Sequence, residues 1–229
     1  MTFAEQVIRF NRELDFSGIL PDGIGIMNPF RDSPHIWPVI IQFYNKFYSD
    51  NRQRKMILGI NPGRFGAGVT GVPFTDTKRM LSRCGIKIDG METHEPSSVF
   101  VYDVIDAYGG TEIFYADYYI NSICPLGFVK NTSGGKSVNY NYYDSRELTH
   151  AVYGFIVDSI RKQIAFGIDT SICYCMGTGK NAAFLNELNS REKFFDEVVA
   201  LEHPRFVIQY RLKQKDTYVE KYIAQLKRK

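Results

Sequence analysis

The sequence predicts an α/β fold in which a parallel sheet is covered by helices on both faces. Three observations carry that expectation: short β-branched or apolar runs, helical periodicity between them, and a glycine-rich loop directly behind the first run. The runs are residues 56–60, 118–123, 171–176 and 197–201. Each has the length and bounding turn residues of a strand. Between the later runs, Ala151, Phe155, Ile156, Ile160 and Ile164 recur at three- and four-residue steps, the spacing of one helix face. Strands that alternate with helices pair in parallel, because each return crossover lays its helix over a sheet face.

In chain order, residues 3–14 mix Glu5, Arg9, Arg12 and Glu13 with apolar residues at helical spacing. Such a segment is an amphipathic helix, not a signal peptide or a membrane span. Residues 18–38 are rich in Pro and Gly and read as a loop, and 37–49 read as a second helix. After the strand at 56–60 and its loop come the strand at 118–123, a helix over 144–166, the strand at 171–176 and a helix over 181–188. The strand at 197–201 and a closing helix over 216–227 complete the order, with Lys227, Arg228 and Lys229 as its solvated end. No repeat or linker-like composition shift divides the chain, so residues 1–229 are expected to form one domain.

A chain of 229 residues can bury a core without staples. Its net charge of +3 is compatible with a polyanionic partner but too small to hold a protein on DNA by charge alone. Cys84, Cys124, Cys173 and Cys175 form no disulfide framework and lack iron–sulfur spacing, which predicts a reduced, cytoplasmic protein with no metal and no cofactor.

Function is concentrated in the loop. Residues 59–74 pack five glycines and two prolines around one amide, that of Asn61, at the tip of a buried strand. In open α/β sheets ligands bind in the crevice beyond the carboxyl ends of the strands, and glycines let backbone N–H groups approach them closely. A second glycine-rich segment, Gly177-Thr178-Gly179-Lys180-Asn181, fails the nucleotide phosphate-loop pattern at Tyr174 and Asn181. It reads instead as a turn into a helix N-terminus, where Lys180 can touch a DNA phosphate.

The first loop resembles the leading active-site motif of the single-strand-selective monofunctional uracil-DNA glycosylases (SMUG), a branch of the uracil-DNA glycosylase superfamily. Gly59-Ile60-Asn61-Pro62-Gly63-Arg64-Phe65-Gly66, three variable residues, then Thr70-Gly71-Val72-Pro73-Phe74 depart from the family wording only at Ile60 and Arg64. Downstream, Asn121-Ser122-Ile123-Cys124-Pro125-Leu126 is similar to the family's Asn-x-Cys-Pro-Leu with one extra residue, and His203-Pro204 matches the start of its second motif. The resemblance implies a three-layer α/β/α fold around a four-stranded parallel sheet. The activity it implies is a monofunctional DNA glycosylase for uracil in single- or double-stranded DNA, acting as a monomer.

It also implies roles. Asn61 positions the attacking water and His203 donates a hydrogen bond to uracil O2 as charge builds on the leaving base. Pro62, Gly63, Phe65 and Gly66 belong to the substrate-binding loop, and Phe74 stacks on the flipped base. Glycine at position 63, where uracil-only branches carry tyrosine, leaves room for 5-hydroxymethyluracil or xanthine. Asn121 either reads the uracil edge with its amide or caps the strand-to-loop turn.

After His203-Pro204 the chain departs from the family's insertion loop and reads Arg205-Phe206-Val207-Ile208-Gln209-Tyr210-Arg211. Arg205 and Arg211 suit phosphate contacts, while Phe206 and Tyr210 either wedge between bases or pack against the last helix. Two rivals stand beside the repair enzyme: a catalytically silent DNA- or nucleotide-binding protein on the same fold, and a glycosylase of free nucleosides.

Overall fold

The first helix begins where Thr2 and Glu5 cap one another: Thr2 Oγ1 accepts from the Glu5 amide at 3.2 Å and Glu5 Oε2 from the Thr2 amide at 2.8 Å. The structure, a computed structural model, describes residues 1–131 and 135–228, with Pro34 through its backbone alone. Lys229, the end of the basic tail, lies outside them. In chain order the elements are α1 (Phe3–Glu13), β1 (Ile24–Met27), α2 (Pro29–Asp32), α3 (Trp37–Phe47), β2 (Arg54–Gly59), α4 (Ala67–Thr70), α5 (Thr77–Ser82), α6 (Pro96–Tyr108) and α7 (Thr111–Asp117). They continue with β3 (Tyr118–Ser122), β4 (Gly127–Asn131), β5 (Ser137–Tyr140), α8 (Arg146–Ile164), β6 (Ile168–Met176), α9 (Lys180–Glu192), β7 (Glu197–Leu201), α10 (Pro204–Tyr210) and α11 (Lys215–Leu226).

Four strands form a parallel sheet in the order β3-β2-β6-β7, as expected. Its central strands are apolar on both faces, with Met56, Ile57, Leu58 and Cys173 to Met176 all buried, because helices cover both sides. Arg54, at the base of β2, is also fully buried. Its guanidinium lies over the Phe3 and Tyr48 rings and donates to the carbonyls of Tyr115 and Arg52, so the charge is paid for locally. The chain visits β2 and then β3 on one side before crossing to β6 on the other. That reversal between β2 and β6 is the topological switch point, where the connections part and open a crevice at the carboxyl edge.

A second, antiparallel sheet of order β1-β4-β5 was not expected from the sequence. β1 lies inside the segment read as a loop, and β5 pairs with β4 from Phe128 opposite Tyr140 to Asn131 opposite Ser137. No helix of the described residues is long and apolar enough to cross a membrane.

Candidate active site

A cavity of about 980 Å³ opens where the switch point predicts a crevice. The loop after β2 supplies Asn61, Pro62, Gly63, Phe65 and Phe74 to its wall, the turn after β6 supplies Gly177 and Lys180, and the residue following β7's loop, His203, completes it. Residues far apart in sequence thus share one cleft because three parallel strands end there.

Asn61 is gripped by the antiparallel sheet. Its Oδ1 accepts from the Tyr142 amide at 3.2 Å, and its Nδ2 donates to the Tyr140 carbonyl at 3.3 Å. Nδ2 also donates to the Pro62 carbonyl at 3.4 Å, so both amide hydrogens are engaged and one lone pair of Oδ1 remains to accept from a water. Arg64, the departure from the family wording, also docks here: it donates to Asn139 Oδ1 at 3.0 Å and to the Ser137 carbonyl at 2.7 Å. Its guanidinium lies 5.5 Å from the ring of Phe65, which is exposed at the cavity mouth.

His203 caps α10. Its Nδ1 accepts from the Arg205 amide at 3.1 Å, which leaves Nε2 to carry the proton of the neutral ring. Burial, and then the Arg205 charge, push its pKa down to about 4. The imidazole is therefore a neutral donor at physiological pH. Gly177, beside the ring, is required by its backbone, with φ +125°; a Cβ there would be in ordinary contact with His203 Cδ2 at 4.0 Å and tighter against Asn181 Cβ at 3.3 Å.

Phe74 faces His203 with ring centroids 6.1 Å apart. Its backbone has φ 52°, a left-handed conformation that costs a non-glycine residue on the order of 1–3 kcal/mol. The ring lies flat against the end of β2, where a Cβ at Gly59 would come within 2.9 Å of two of its atoms. Gly59 is thus required by close approach. At Gly63 the reverse holds: a Cβ would meet nothing nearer than Asn139 Nδ2 at 3.8 Å, so the space is open.

Two of the expected substrate-binding residues do not reach the cavity. Asn121 is turned away from it, donating from Nδ2 to Tyr119 Oη at 2.8 Å and to Gln163 Oε1 at 2.5 Å, while its Oδ1 accepts from the Ser122 amide. Side chains alternate along a strand, so the extra residue before Cys124 shifts the polar position by one. Ser122, in register with Gly59, is the polar residue on the face that carries the Phe74 ring. Gly66 is covered by Glu95, whose Oε2 would lie 1.9 Å from a Cβ there.

Glu95 lines the cavity and was not anticipated, since no motif surrounds it. Its Oε2 is buried with no hydrogen-bond partner. Burial first, then the neighbouring Asp76, push its pKa up to about 7, against the pull of Arg205. Its backbone N–H donates to Asp76 Oδ2 at 2.8 Å, which fixes the loop ahead of α6.

The outer wall is α10, formed by the segment that departs from the family's insertion-loop wording. Arg205, Phe206 and Tyr210 line the cavity; the two rings are 5.8 Å apart, with 38% and 61% of their surfaces exposed. They do not pack against α11 as core. Arg211 lies outside the cavity wall and sets its guanidinium 5.4 Å from the Phe206 ring. Lys180 is exposed at the start of α9, and Ser97 lines the cavity at the start of α6, so the positive ends of two helix dipoles meet it.

The family described as the uracil DNA glycosylase superfamily matches residues 46–227. The chain is similar to the crystal structure of wild-type Pedobacter heparinus SMUG2, with 53% sequence identity and a TM-score of 0.97 over 99% of this chain and 97% of that one. No curated protein matches it. The glycine-rich loop, the histidine after the last strand and the crevice between them are thus those of a SMUG-like DNA glycosylase, and the chain belongs to the uracil DNA glycosylase superfamily.

Proposed function

We propose that the protein hydrolyses the N-glycosidic bond of uracil in DNA without a lyase step, and that it also accepts larger deaminated or oxidised bases such as xanthine and 5-hydroxymethyluracil. The observation that carries this reading is the sharing of one cavity by Asn61, Phe74 and His203. An extruded nucleotide stacks on Phe74, Asn61 orients water towards the sugar, and the neutral His203 donates from Nε2 to the oxygen that gains charge. An amide has no useful basicity near neutrality, so the water is oriented but not deprotonated. Bond breaking therefore runs ahead of water attack, through an oxocarbenium-like sugar.

A lyase step needs a lysine whose amine is made neutral by burial. Among the described residues Lys180 is the lysine that lines the cavity, and it is exposed, a position suited to a phosphate. The wider range of bases rests on the open space at Gly63. Arg205 and Lys180 hold the strand, Phe206 and Tyr210 fill the gap left by the extruded nucleotide, and Arg211 supports Phe206. Four buried free cysteines fit the reducing cytoplasm.

The test is a panel of labelled oligonucleotides bearing uracil, 5-hydroxymethyluracil, xanthine or hypoxanthine, single- and double-stranded, incubated with the protein and then treated with alkali. Alkali-dependent cleavage is expected. Cleavage before alkali refutes the monofunctional assignment, and binding without cleavage supports a silent reader of damaged DNA.

A further inference from the structure

A buried line of hydroxyl groups runs from the core to the turn that presents Phe74. Tyr102, Tyr115 and Cys84 are buried, and Tyr102 Oη lies 3.2 Å from both Tyr115 Oη and Cys84 Sγ. Tyr102 Oη is also 3.0 Å from Thr75 Oγ1, which is 3.1 Å from the Pro73 carbonyl. A hydroxyl has one hydrogen, so the consistent assignment has Tyr102 donating to Thr75 and Thr75 donating to Pro73. From the other side, Thr70 Oγ1 donates to the Thr75 carbonyl at 2.6 Å and accepts from the Val72 amide at 3.2 Å. Thr70 and Thr75 are both fully buried. These bonds hold the residues immediately before and after Phe74.

Among the described residues, Phe74 and Lys193 are the non-glycine residues with positive φ. Lys193 closes a helix, where that conformation is common, but Phe74 lies in no such place. A strained aromatic persists only where its surroundings over-determine it. Here the strain places the ring against Gly59 and opposite His203.

We propose that Tyr102, Thr75 and Thr70 are positioning residues whose hydrogen-bonded spine holds Phe74 in its left-handed conformation, so that the stacking platform for the base is set before DNA arrives. The inference rests on the reading that Phe74 stacks on the base. Without the spine the turn relaxes to negative φ and the ring leaves Gly59.

The experiment is a double-mutant cycle measured by single-turnover release of uracil from an oligonucleotide, with thermal melting run in parallel. Thr75→Val is expected to lower the rate about 10-fold and Tyr102→Phe about 3-fold, the scale of one buried hydrogen bond, whereas Thr75→Ser keeps the rate within about 2-fold of wild type. In a Phe74→Leu background Thr75→Val should add almost nothing, because the platform it serves is already gone. Equal losses in both backgrounds, or equal losses for Thr75→Val and Thr75→Ser, would overturn the proposal and leave Thr75 a general structural residue. A wild-type rate for Phe74→Leu would instead refute the stacking reading itself. A slow Phe74→Leu beside normal Tyr102→Phe and Thr75→Val would refute the spine alone.

Discussion

The two walls of the cleft are built differently. On the Asn61 side, the loop after β2 is clamped by β5: Tyr140 and Tyr142 hold the amide, and Asn139 and Ser137 hold Arg64. On the other side, His203 is oriented by one backbone bond, and beyond it α10 offers solvent-exposed rings and cations. The difference separates two tasks. Chemistry needs groups fixed before the substrate arrives, whereas gripping a strand needs long side chains that can adapt to it.

If that division is right, damage to the fixed groups should stop catalysis, and damage to α10 should weaken binding. Asn61→Ala and His203→Ala are each expected to lower base release by at least ~100-fold in single-turnover assays, with melting temperatures near wild type. A loss of DNA affinity with an intact rate would erase the contrast. Gly63→Tyr should lower excision of xanthine and 5-hydroxymethyluracil by about 10-fold or more relative to uracil, since it fills the open space beside Asn139. Phe206→Ala and Tyr210→Ala should each weaken DNA binding by about 10-fold, the scale of one lost stacked base, while the rate at saturating enzyme stays close to wild type.

The pH dependence sharpens the comparison further. Because His203 has its pKa lowered to about 4, the ring stays neutral and the rate should be flat from about pH 5 upward; in stronger acid, protonation of Nδ1 removes the acceptor that holds the ring to the Arg205 amide. Glu95 behaves oppositely. With its pKa raised to about 7, it turns anionic as pH rises through neutrality, beside Asp76 and Arg205 in the cavity proposed to take DNA. DNA affinity should therefore fall a few-fold between about pH 6 and pH 8, and Glu95→Gln should remove that fall in a fluorescence-anisotropy titration. The same shift makes the folded state hold its proton more tightly than the unfolded one. The stability it contributes is present in full below the unfolded value of 4.5 and is lost as pH passes about 7. The smallest effect is expected for Arg211→Ala, which lies off the cavity wall and should change binding by about 2-fold or less.

Legibility from sequence followed the strength of local signals. β2, β3 and the second half of β6 were visible because both faces are buried, which makes them continuous apolar runs, and the half-exposed β7 because Val198 and Val199 are β-branched. β1 and β5 were not: their residues are half-buried or exposed, and Gly25 interrupts the first. The helix α6 was missed because it is apolar on several sides and offers no clear stripe, with Phe100, Val101, Tyr102, Val104 and Ile105 all buried. Asn61, Phe74 and His203 came from motifs that fix both residue type and position. The direction of Asn121 was set by parity: the residue type matches the motif, but one inserted position turns the side chain to the face of β3 that meets Gln163. Glu95 carried no local signal at all, because its meaning comes from a distant glycine, Gly66, whose missing side chain leaves it a place.

The grip on Asn61 has an evolutionary consequence. The bonds to Tyr140 and Tyr142 come from main-chain groups, a carbonyl and an N–H, so they do not depend directly on the side chains there, although Tyr142 is itself held in the core and donates to Asn181 Oδ1 at 2.8 Å. Only proline at 142 deletes the donor outright. The exposed positions of β5 can therefore change while the orientation of the amide is kept.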